Sequence, residues 1–146
     1  GEDARRAAAA QRAAVNSKEK GSYAHTRVTM SEGFDPNKSR VSEDRLAEFI
    51  VQEVDPDLSS VPGVGDKAKE MLLADGVETT YQLIGKFLQL KGASTSVREH
   101  ADAMWYYLKG VGINSYRAGI VLAIAEKVNT MMSGLYDPEE FETAEA

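Results

Sequence analysis

The stretch Val61-Pro62-Gly63-Val64-Gly65, followed by Asp66-Lys67-Ala68, constrains the fold more than any other part of this 146-residue chain. Two glycines let a backbone turn tightly where a Cβ would clash. Val61 and Val64 are placed to anchor such a turn in a core. The second glycine opens a helix, whose first amides lack intrahelical partners. Those amides, at the positive end of the helix dipole, can hold a phosphate. The pattern predicts a helix-hairpin-helix. It leaves two uses open: a phosphate-backbone contact, or a plain tight turn between helices.

The flanking sequence reads as helices throughout. Ser42 is a cap, with Glu43 and Asp44 at the positive end of a helix that carries Leu46, Phe49, Ile50 and Val54 on one face. Asp55-Pro56-Asp57 stops it, and Leu58 to Val61 can make one short turn. A second helix runs from Asp66 to Asp75 and ends at Gly76. Thr79 or Thr80 opens a third, with Leu83, Ile84, Phe87, Leu88 and Leu90 apolar, closed by Gly92. Ser94, Thr95 or Ser96 caps a fourth, with the stripe Val97, Ala101, Met104, Trp105 and Leu108, closed by Gly110. Asn114 is expected to cap the last, which carries Ile120, Val121, Ile124, Val128 and Met131. No alternating strand pattern competes. The expected fold is all-α, a compact orthogonal domain of five to six helices over residues 41–133. Residues 1–40 read as an Ala-rich helix and an extended arm, and residues 134–146 as an acidic tail.

The net charge of −6 is uneven. Residues 1–30 carry +3, including Arg5, Arg6 and Arg12, and the stretch after Met132 carries −5, leaving −4 for the segment between. An acidic domain is a poor prior for phosphate backbones, although local patches outweigh the sum. No apolar run is long enough to span a bilayer. Cysteine is absent, which excludes thiolate chemistry and fits a reducing, intracellular compartment. The Ala/Arg-rich start resembles the mature end of a targeted protein, without a visible cleavable signal.

From Ser59 to Lys91 the chain resembles the barrier-to-autointegration factor family without a gap. Gly63, Gly65, Leu72, Gly76, Tyr81, Gly85, Phe87, Leu88, Leu90 and Lys91 carry the match, and Tyr-x-x-x-Gly-x-Phe-Leu-x-Leu-Lys is its specific part. It continues more weakly through Trp105 and Gly112-Ile113-Asn114. Residues 1–40 and the acidic tail have no counterpart. The resemblance implies an all-helical fold, a homodimer, and sequence-independent binding of duplex DNA. Carried over by position, Gly63, Val64 and Gly65 would offer amides to phosphate. Arg45 stands where the family has a lysine, and Asn114 and Ser115 match a second contact.

Three departures count against DNA. Met71 and Tyr116 stand where lysines are expected, and Glu43 and Asp44 replace neutral residues beside Arg45. Each lost contact lowers affinity. Lys67 and Lys69 flank the hairpin and could compensate, or could be a solvated helix face.

Other chemistry finds little support. His25 and His100 have no companions at metal-ligand spacing. No motif supplies a nucleophile with its base. Asp55 and Asp57 read as turn residues. The chain is therefore expected to be non-enzymatic and cofactor-free. In Trp105-Tyr106-Tyr107, Trp105 shares the core stripe, so Tyr106 or Tyr107 should point outward as an interface anchor. The leading expectation is an interaction subunit of a larger protein assembly, with Arg5, Arg6, Arg12, Tyr106 and Tyr107 contacting partners. The alternative is a duplex-DNA-binding protein using Gly63, Val64, Gly65, Lys67, Lys69, Arg45, Asn114 and Ser115.

Overall fold

Apolar residues at helical spacing, opened by side-chain caps, form five α-helices in the computed structural model, which describes residues 32–142. They are α1 (Glu43–Val51), α2 (Asp66–Ala74), α3 (Thr80–Gln89), α4 (Val97–Gly110) and α5 (Arg117–Met131). No strand occurs among the described residues, so the all-helical expectation holds. Arg5, Arg6, Arg12 and His25 lie outside them.

Three starts are locked as the sequence predicts. The Ser42 hydroxyl accepts from the Arg45 amide at 3.1 Å, and Thr79 accepts from the Gln82 amide at 3.1 Å. Ser96 and Glu99 form a reciprocal capping box, at 3.1 and 2.9 Å.

Helix α5 is the centre of the unit. Ala118, Gly119, Ile120, Val121, Ala123, Ile124, Ala125, Lys127 and Val128 are all buried. A helix covered on so many sides needs neighbours all round. It packs against α1, α3, α4 and the 3-10 turn Pro36–Lys38. Gly119 permits the last of these approaches. A Cβ there would stand 2.5 Å from Val41 Cγ2, so only glycine lets the Ser39–Val41 segment cross.

Four local expectations are corrected. Helix α1 ends at Val51, before Val54, because the Lys127 ammonium takes the carbonyls of Ile50 and Gln52. Helix α4 runs through Gly110 and turns at Gly112 (φ 105°), where the Ile113 amide donates to the Leu108 carbonyl at 3.0 Å. Asn114 does not cap α5. Tyr116 holds that place at φ 64°, with no side-chain cap bond. Met131 is 55% exposed rather than part of the buried stripe.

The compact unit begins at Phe34, inside the segment read as an arm. Phe34, Tyr136 and Phe141 are buried together, although the last two fall in the segment read as a tail. Phe34 meets Phe141 edge-on at 5.1 Å, and Tyr136 stacks on Phe141 at 5.6 Å. Polar bonds fix the cluster. Asp102 accepts from the Phe34 amide at 2.8 Å, Asn129 accepts from the amides of Leu135 and Tyr136, and Arg98 donates to the Glu140 carbonyl.

Candidate nucleic-acid interface

The Val61–Val64 turn is built from its residue types. Proline at its second position fixes φ, and glycine at its third supplies the positive φ of a type II turn. Gly63 has φ 93°, and the Val64 amide donates to the Val61 carbonyl at 3.0 Å. Val61 and Val64 are buried as expected. The turn is seated on the head of α5. A Cβ on Gly63 would stand 2.9 Å from Ile120 Cγ1 and 3.3 Å from Tyr116 Cβ.

Gly65 differs from Gly63. Its φ is −97°, and a Cβ there would meet nothing within 4 Å. The fold does not require glycine at this position, which corrects the expectation that both glycines relieve a clash. Gly65 is the N-cap of α2 and offers no side chain to the first amides of that helix. Those amides are left for solvent or for a ligand.

Beside the turn lies an open groove of about 730 Å³, walled by the start of α1, the first turns of α2 and the loop between α4 and α5. Seven of the eight residues expected to contact nucleic acid line it: Arg45, Gly63, Val64, Gly65, Lys67, Asn114 and Ser115. Arg45 and Lys67 are exposed and form no ion pair among the described residues. Asp66 is the one carboxylate in the lining. Glu43 and Asp44 are exposed in the first turn of α1 and do not line it. Met71, Val41, Ile113 and Tyr116 make part of the wall uncharged.

Lys69 is the eighth residue, and it lies elsewhere. Its ammonium pairs with Asp57 at 3.1 Å. The Ser59 amide, followed by Lys69, holds the Asp57 carboxyl below the usual aspartate range. Lys69 serves the 3-10 turn Leu58–Ser60, which Asp57 caps.

Neither tyrosine expected as a partner anchor stands free. The Tyr107 hydroxyl donates to Asp75 at 2.6 Å, and Lys86 lies 5.0 Å from its ring centroid. Burial, followed by Asp75, pushes the phenol well above its ordinary value. Tyr106 is half-buried, edge-on to Trp105 at 4.9 Å. Trp105 is buried, with the Arg117 guanidinium 4.3 Å from its ring centroid. Among the described residues, the exposed aromatics are Tyr81 and Tyr116, at 57% and 46%. Tyr116 lines the groove, with Arg40 5.9 Å from its ring centroid. Composition and periodicity gave no sign of Arg40 or Val41, which reach the site through the irregular segment before α1.

His100 is a core residue. Its ring stacks on Phe87 at 3.9 Å, and its Nε2 lies 2.6 Å from the Phe87 carbonyl. No group of three or more His, Cys, Asp or Glu that could hold a metal occurs among the described residues. No described helix is long and apolar enough to cross a membrane. No family model, curated protein or solved structure matches the chain.

Proposed function

We propose that this chain is a non-catalytic binding module that grips a nucleic-acid phosphate backbone in the groove beside the Val61–Val64 turn, without reading base sequence. One observation carries the reading. Residues far apart in sequence, Arg45, Gly63 to Gly65, Lys67, Asn114 and Ser115, converge on one groove. Two uncommitted cations and the open amides of α2 give that groove an anion-binding character. The resemblance to the barrier-to-autointegration factor family supports the same reading, with the hairpin as the contact and a homodimer as the assembly.

The test is a salt titration against random-sequence nucleic acid. With two or three phosphate contacts, log affinity should fall against log salt with a slope of about −2 to −3. Absence of binding at about 50 mM salt, where such contacts are strong, would remove the reading.

A second reading is favoured by the uncharged side chains in the groove. Met71 and Tyr116 bring no charge, and Lys69 is spent on Asp57. In this reading the chain is a structural subunit of a protein assembly, and the groove and the exposed Val51, Met131 and Met132 face neighbouring subunits. Recovery of the chain from its native source as a free monomer would exclude it.

A further inference from the structure

We propose that Tyr116 makes the groove selective for unpaired nucleotides, its ring serving as the platform for one base while the cations take the adjoining phosphates. This rests on the nucleic-acid reading above and adds the strand state of the ligand.

Among the described residues, Tyr116 is the one large exposed apolar side chain that lines the groove. The fold makes little use of its ring. The residue is 46% exposed. Its backbone is the one non-glycine positive φ among the described residues. Glycine or asparagine holds that conformation more easily than tyrosine. A costly residue kept at a groove wall points to a use for its side chain.

The surroundings say what would use it. The Arg40 guanidinium lies near the ring, and Arg45 and Lys67 share the groove. An aromatic ring among cations suits a ligand that pairs a flat ring with negative charge, as a nucleotide does. The groove, at about 730 Å³, is of the size that holds such a ligand. Stacking needs a base with a free face, and in a continuous duplex both faces are covered by neighbouring pairs. A single strand or a frayed end supplies one.

The experiment is fluorescence anisotropy with the full chain at about 50 mM salt, using a labelled single strand of about 12 nucleotides and a duplex of the same length. The native protein should bind the single strand more tightly. Tyr116→Ala should lose about fivefold to a hundredfold for the single strand. The duplex should lose less, since only its end pairs offer a free base face. Tyr116→Phe should bind like the native protein. Tyr116→Gly guards against misfolding. It relieves the positive φ, so it should melt no lower than the native protein and still lose single-strand affinity. Equal binding of both probes, or equal loss for both on substitution, overturns the role of Tyr116 and leaves backbone binding intact. Binding of neither probe overturns the nucleic-acid reading itself.

Discussion

Tyr116 Cβ lies 3.3 Å from the point a Cβ on Gly63 would occupy, so no space separates the Val61–Val64 turn from the head of α5. Gly65, two residues on, borders open space. These two glycines should therefore respond oppositely to substitution.

Gly63→Ala forces a side chain into φ 93° and against Ile120. We expect a loss of about 1–3 kcal/mol of stability, read from urea denaturation. Gly65→Ser should do the reverse. Its hydroxyl can cap α2 and raise stability by a few tenths of a kcal/mol. The same hydroxyl occupies the amides offered to a phosphate, so nucleic-acid affinity should fall. A more stable protein with undiminished affinity would show that those amides are not the contact.

Phe141 closes the aromatic cluster at the end of the described chain. Phe141→Ala should cost about 3–5 kcal/mol, as for other buried phenylalanines. Ending the chain after Ser133 removes Tyr136 as well and should cost more. If truncation leaves the denaturation midpoint unchanged, the cluster contributes nothing to the fold.

Lys127→Met should also destabilise. It leaves the Ile50 and Gln52 carbonyls without their ammonium partner. Losing a charged cap of this kind costs about 1–3 kcal/mol. Amide exchange at the end of α1 should quicken more than at α4, which separates a local release from general loosening.

His100 should make one contribution to stability that is lost on mild acidification. Burial, opposed in part by the Phe87 carbonyl, lowers its folded pKa below the ordinary 6.5. Nε2 donates to that carbonyl, while Nδ1 is buried without a partner. The unfolded chain therefore takes up a proton first. The contribution of neutral His100 is complete above about pH 6.5 and is lost as pH falls from there toward the folded pKa. Asp102 and Glu126 act in the other direction. Burial raises both, so the folded state takes up their protons first and stability is regained at lower pH. His100→Gln should flatten the slope just below pH 6.5 in denaturation midpoints. An unchanged slope would assign the acid response to other groups.

The helices were readable because their signals are local. Ser42, Thr79 and Ser96 each cap a helix whose apolar face follows within one turn, and caps and stripes need no distant partner. The site was partly readable for the same reason, since the hairpin glycines announce themselves. The misreadings depend on contacts across the chain. Lys69 could be seen as spent only once the 3-10 turn had placed Asp57 beside it. The early end of α1 needs Lys127 from α5. Asn114 is the better residue for a cap or a positive φ, yet the backbone reaches that conformation at Tyr116, and composition gives no hint of it. Tyr136 and Phe141 sit in an acidic stretch whose charge hides their return to the core.

The edge-on contact of Phe34 with Phe141 also brings the two ends of the described unit together. A short linker could join the two ends there, and new termini could be opened in the exposed Ala74–Gly76 turn. The unit is thus a cassette that another protein could carry in a surface loop.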